Sequence, residues 1–157
     1  MPHGLDRWMY EGGRPNRLAR LLNGIWTRLA SAGLAPERLN TLEVRGRRSG
    51  RTRSFQVVVA DYGGDRYLVA MLGEASNWAR NVRASGGAAV LGHGRREPIR
   101  LEEVDLAERA PILRRYLELA PGARAHMPVD PGADLAAFEK VAPRYPVFRI
   151  SRAAAPD

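Results

Sequence analysis

The sequence predicts an α+β fold, a small and mostly antiparallel β-barrel of about six strands with an N-terminal helix and inserted short helices. Two observations carry this. The element order reads helix, three strands, short helix, two strands, helix and final strand, so hairpins dominate and the strand–helix alternation of a doubly wound sheet is missing. The length of 157 residues with 45% hydrophobic content suits one domain with a substantial core. No internal repeat is present.

Residues 1–14 are polar and glycine-bearing and are expected to form a flexible segment ahead of a single domain over 15–150. Over 15–32, Leu18, Leu21, Leu22, Ile25, Trp26 and Leu29 fall on one helical face, with Pro15 in the first turn and Gly33 at the stop. The plain reading is a helix packed on the sheet. The sharper one is an arginine-rich helix lying on an anionic membrane surface. Strands are expected over 41–45, 53–61 and 66–72, with Tyr62-Gly63-Gly64-Asp65 turning between the last two. After a loop over 73–76, a short helix spans 77–85 and closes at Gly86-Gly87. Strands follow over 88–91 and 97–104. Asp105 and Glu108 have capping-box spacing before a helix ending near Ala120, although Pro111 requires that helix to begin late or to kink. A Pro/Gly-rich loop over 121–134, a short helix over 135–141 and a strand over 146–150 complete the domain. A flexible tail is expected over 151–157.

The formal charge is +8, carried almost wholly by arginine, since Lys140 is the one lysine. Such a field attracts anionic lipid, nucleic acid or phosphorylated ligands without choosing among them. The lack of cysteine excludes disulfides, iron–sulfur clusters, cysteine-rich zinc sites and cysteine nucleophiles. No run resembles a signal peptide or the roughly 20 apolar residues of a membrane span. The expected location is cytoplasmic, with peripheral contact at the inner membrane face if the 15–32 helix touches lipid.

Two segments point to chemistry. The first, Arg45-Gly46-Arg47-Arg48-Ser49-Gly50-Arg51-Thr52-Arg53, lies between strands. Glycine permits positive φ, so backbone N–H groups around Ser49 and Gly50 can face a concavity. Arg47, Arg48 and Arg53 would add charge-assisted bonds to phosphate or carboxylate. A solvated basic hairpin explains the same residues without a ligand. The second is Asn77-Trp78-Ala79-Arg80-Asn81-Val82-Arg83. On a helix Asn77, Arg80 and Asn81 share a face, and two amides beside Trp78 suit an aromatic, hydrogen-bonding ring. The plain alternative is Asn77 as a helix cap and Trp78 in the core. Elsewhere Glu102 and Glu103 point to opposite faces of one strand, and His3, His93 and His126 have no metal-ligand spacing. No catalytic side chain and no metal site are expected, so a reaction would be carried by a bound cofactor.

Together these residues resemble the deazaflavin-dependent nitroreductase and quinone reductase family. The likeness runs over about 15–150 and rests on Gly46-Arg47-Arg48-Ser49-Gly50, then Asn77-Trp78-Ala79-Arg80-Asn81-Val82-Arg83-Ala84, then a closing Pro146-Val147-Phe148 strand. It implies a split β-barrel and the deazaflavin coenzyme F-420, with hydride transfer to a quinone-like or other electron-poor acceptor. It places the cofactor phosphate on Arg47, Arg48, Ser49, Gly50 and Arg53. It places the ring along Gln56, Val57 and Val58, with Met71, Leu72, Gly73, Asn77, Trp78 and Asn81 on the other side. Phe138 and Tyr145 are the expected substrate neighbours.

The chain departs from the family pattern twice. The loop before Trp78 is short and carries Glu74 where relatives carry lysine, and no tyrosine precedes Tyr145 in the segment ahead of the last strand. The alternatives are an FMN-binding split barrel, or a non-catalytic basic module for flavin, anionic lipid or nucleic acid. Nucleic acid is not the expected partner, because aromatic side chains are not interleaved with the arginines. A homodimer and a lipid-soluble quinone acceptor are the expected associations.

Overall fold

The computed structural model describes residues 38–153. The 1–14 segment, the 15–32 helix and the end of the tail lie outside the described residues. Seven strands form one sheet: β1 (Leu39–Arg45), β2 (Thr52–Val58), β3 (Ala60–Tyr62), β4 (Asp65–Val69), β5 (Ala88–Gly92), β6 (Arg96–Glu103) and β7 (Val147–Arg152). Their order is β2-β1-β5-β6-β7-β4-β3, and every pairing is antiparallel.

The extra strand comes from a break at Val59. The stretch read as one strand over 53–61 leaves the ladder at this residue, whose N–H donates to the Arg38 carbonyl at 2.9 Å. β2 pairs with β1 at one edge of the sheet, while β3 pairs with β4 at the other. Consecutive residues therefore occupy opposite edges, which curls the sheet into a split barrel, and β2 touches β4 across the gap. β7 also outlasts its expected end, because Ser151 pairs with Arg100 and Arg152 with Ile99.

Three α-helices are described: α1 (Asn77–Ala84), α2 (Arg109–Leu119) and α3 (Leu135–Val141). The expected capping box at Asp105 does not form. Leu106–Glu108 is a 3-10 turn and α2 starts at Arg109. Pro111 thus sits in the first helical turn, where a missing N–H costs no intrahelical bond. Asp134 caps α3 by accepting from the Ala137 N–H at 3.1 Å. The segments expected as loops each contain a 3-10 turn, Gly73–Ala75 and Pro121–Ala125.

Strand alternation sorts the apolar residues into two cores. Leu42, Phe55, Val57, Leu68, Ile99 and Phe148 pack with Trp78 and Val82 of α1 on one face. Val58, Tyr67, Val69 and Val147 pack with α2 and α3 on the other, around Leu113, Leu117 and Phe138. Adjacent residues Tyr67, Leu68 and Val69 serve the two cores in turn.

Gly87 lies between α1 and β5 and packs against β6. Its φ is +93°, and an added Cβ would lie 2.5 Å from the Leu101 carbonyl oxygen. The Leu101 N–H donates to the Gly87 carbonyl at 2.8 Å, so neither backbone can retreat freely. Gly87→Ala is expected to cost about 2–5 kcal/mol from left-handed backbone strain plus overpacking. A urea melt that moved by under 0.5 kcal/mol would contradict this close approach.

Candidate functional site

The β1–β2 connection is a closed basic turn. The Gly46 N–H donates to the Arg51 carbonyl at 2.7 Å, and the Gly50 N–H donates to the Gly46 carbonyl at 2.9 Å. The Ser49 hydroxyl accepts from the Arg51 N–H at 3.2 Å, and Arg45 Nε donates to the Gly50 carbonyl at 3.2 Å. Gly50 has φ +71°, which only glycine adopts cheaply. These bonds revise the expected cradle. The Gly50 amide closes the turn and is not offered to a ligand. The Arg48 and Ser49 amides, by contrast, donate to no group among the described residues.

Arg47 and Asn81 bring the two sequence motifs together. Asn81 Oδ1 accepts from the Arg47 backbone N–H at 3.2 Å and from Arg47 Nη1 at 2.7 Å. Asn81 is only 4% exposed, although the sequence placed it on a polar face with Asn77 and Arg80. Its amide is therefore a lock that seats the turn on α1 rather than a ring contact displayed at the surface. A signal for this was available: an amide at helical spacing from apolar Trp78 and Val82 must find a partner when buried. Asn81→Leu keeps the volume but removes the acceptor, leaving a part-buried N–H and guanidinium unmatched. A loss of about 1–3 kcal/mol in chemical denaturation is expected; an unchanged midpoint would show that the lock is idle.

The turn is also unneutralised. Arg45, Arg47, Arg48, Arg51 and Arg53 form no salt bridge among the described residues, whereas some arginines elsewhere pair with carboxylates, as Arg66 does with Glu97 and Arg149 with Glu102. Two free amides, a hydroxyl that can still donate its own proton and several unpaired guanidinium groups converge at one exposed turn. This donor set fits a phosphate.

The flank of α1 is pinned by charge. Arg83 binds Glu74 at 2.6 Å and Glu103 at 2.8 Å, and Arg109 also reaches Glu103 at 3.1 Å. Arg80 Nε donates to the Glu74 carbonyl at 2.8 Å. The Arg83 guanidinium holds the Glu74 and Glu103 carboxyls below their usual range, and both acids raise Arg83 in return. Glu74 is therefore a brace between the 3-10 turn and α1.

The remaining expected site residues divide by burial. Gln56 is exposed on β2, and Asn77 is half-buried at the first position of α1, with Ser76 as the cap residue instead. Val57 and Val58 are buried in opposite cores. Trp78 is a core residue too, its ring tilted at 58° against Phe148 with centroids 5.4 Å apart. Met71 and Leu72 are half-buried, and Met71 Sδ accepts from the Tyr116 hydroxyl at 3.5 Å. Gly73 is needed for the chain itself, since a Cβ would meet the Arg144 carbonyl oxygen at 2.8 Å. Among the described strands β2 pairs only with β1 and stands at one end of the strand order.

The expected substrate neighbours are not displayed. Phe138 is 0% exposed in the second core. Tyr145 is buried there as well, its hydroxyl donating to the His126 carbonyl at 2.8 Å. Their polar and apolar groups are already used in packing. Among the described residues no group of acids or histidines is arranged to hold a metal ion, and no helix is long and apolar enough to cross a membrane.

A family model described as F-420H(2)-dependent quinone reductase matches residues 26–130. No curated protein matches the chain. Solved structures share the fold at low identity. An F-420-H2 dependent reductase (FDR-A) is 18% identical with a TM-score of 0.51, over 73% of this chain and 94% of that one. A protein described as a domain-swapped dimer is 15% identical with a TM-score of 0.52, over 82% of this chain and 99% of that one. A conserved hypothetical protein from Mycobacterium tuberculosis is 15% identical with a TM-score of 0.52, over 78% of each chain.

Proposed function

The chain belongs to the F-420H(2)-dependent quinone reductase family, and from that premise we propose that it binds a reduced deazaflavin at the arginine turn and reduces a quinone-like acceptor. The observation that carries this reading is the Arg47–Asn81 lock beneath an unneutralised turn whose Arg48 and Ser49 amides are free. Arg48, Arg53 and those amides would hold the cofactor phosphate. The exposed Gln56 side chain on β2 offers an amide donor and acceptor that match the polar edge of a flavin-type ring.

A bound reduced deazaflavin supplies the hydride. The protein's part is to fix that ring against the barrel, to exclude water and to present the acceptor in line. No side-chain acid or base is assigned to the reaction. Val57, Val58 and Trp78 are packed residues of the two cores, and their packing would give the site its rigidity.

Titrating the purified protein with oxidised coenzyme F-420 and, separately, with FMN tests the reading by fluorescence. Saturable deazaflavin binding that is tighter than FMN binding is expected, followed by menadione-dependent oxidation of the reduced coenzyme. Absence of deazaflavin binding would sink the proposal. Tighter FMN binding would transfer the site to a flavin cofactor.

A further inference from the structure

A second concavity lies away from the arginine turn, where the β3–β4 hairpin and the β6–β7 pair meet the start of α2. Its volume is about 530 Å³, within the usual size of small-molecule sites. Its floor is a row across three strands: Tyr67 on β4 pairs with Arg149 on β7, which pairs with Glu102 on β6. Its walls combine acids with apolar surface from Val104, Pro111 and Ile112.

Its charge opposes that of the whole chain, which is +8. The one arginine in the lining, Arg149, is bound to Glu102 at 2.8 Å, and Glu103 is bound to Arg83 and Arg109. Asp65, Asp105 and Glu108 form no salt bridge among the described residues, though each lines the cavity. Asp105 and Glu108 do not cap the helix that follows them, since neither side chain makes a cap bond. Neither a helix cap nor an ion pair among the described residues therefore occupies these three carboxylates along the cavity wall.

An independent observation is Tyr67. It is nine-tenths buried at 9% exposure, yet its hydroxyl makes no hydrogen bond to any described residue. That oxygen is not sealed in the core, because no fully buried side-chain polar atom lacks a partner. It opens into the cavity that Tyr67 lines. Burial, with the nearby Asp65 carboxylate, pushes the Tyr67 phenol upward, so it stays protonated and neutral. A phenol whose ring is packed and whose oxygen opens into an acidic cavity is a hydrogen-bonding group that a ligand can take over from water. At the rim Tyr62 is 42% exposed, a ring face available to a cation.

We infer that this cavity is a binding site for a small organic cation, an ammonium or amidinium group on an apolar or aromatic body. The charged head sits against the acidic lining to which Asp65, Asp105 and Glu108 contribute, with Tyr67 Oη as acceptor, and the body lies on Tyr62 and the apolar wall of α2. A metal ion is not the occupant, since the acids are not grouped for one. The site is independent of the arginine turn, so it stands whichever cofactor the turn holds.

The test is 15N-detected NMR titration of the full chain with 2-phenylethylamine, with 2-phenylethanol and 3-phenylpropionate as neutral and anionic counterparts. Saturable shifts confined to the 62–67 and 102–112 segments are expected for the amine, at least about tenfold tighter than for the alcohol, the worth of one charge-assisted bond. Asp105→Asn with Glu108→Gln should weaken the amine at least about fivefold at this exposed rim. Tyr67→Phe, which keeps the packing, should weaken it about two- to tenfold. Equal affinity for amine and alcohol, shifts elsewhere, or full affinity in both variants would overturn the inference. An unchanged dispersed amide spectrum outside these segments, with a urea midpoint like that of the parent, would confirm that the fold of the variants survived.

Discussion

Replacing Arg48 and Arg53 together with glutamine is expected to weaken deazaflavin binding well over tenfold while leaving stability within about 0.5 kcal/mol, since neither guanidinium has a partner among the described residues. Charge-assisted bonds to a phosphate are worth about 1.5–3 kcal/mol each, and solvent at the turn reduces that worth. Two such losses still exceed one decade in affinity. Arg47 is excluded from the pair because Asn81 also holds it, so its loss would mix binding with turn geometry. The control is Arg95→Gln with Arg124→Gln, which removes the same charge from exposed positions elsewhere. Equal weakening by both pairs would mean that the turn contributes only long-range field and no direct contact.

Phe138→Ala is expected to cost about 3–5 kcal/mol, because the ring is 0% exposed and its removal leaves a cavity between α2 and α3. For a domain of this size that lowers the melting temperature by roughly ten degrees or more. Phe138→Leu should cost much less, since it keeps an apolar side chain in the space. A substrate-contacting ring would behave differently: alanine would raise KM and leave the melt intact. The two outcomes separate packing from substrate contact at the position where sequence and structure disagree most.

The disagreement has a physical source. Alternation identified nearly every strand, and the two cores follow from that period. It did not show the break at Val59, because Val57, Val58, Val59 and Ala60 are all buried and a continuous apolar run hides a change of sheet edge. The turn was legible as basic and glycine-bracketed. Which amides remain free was not, since that depends on the Gly50-to-Gly46 bond and on φ at Gly50. Asn81 was assigned to the right helix, but its bond to Arg47 was not foreseen. Period alone cannot tell an amide facing a ligand from one facing an arginine of a neighbouring turn. Phe138 and Tyr145 were placed by resemblance, and only tertiary packing shows that their faces are covered.

The Arg47–Asn81 lock also has a consequence in time. β1 and β2 are neighbours in sequence and can zip in microseconds. Their seat arrives 34 residues later, on a helix whose flanking strands pair with β7 and β1. A newly made chain therefore carries a loose basic ribbon until the distant pairings close, and phosphate affinity emerges only with the finished barrel. A ligand that recognises this turn then binds the native state alone. At a hundred times its dissociation constant it would add about 2.7 kcal/mol of stability by mass action, so cofactor supply and the lifetime of the folded protein become a single quantity.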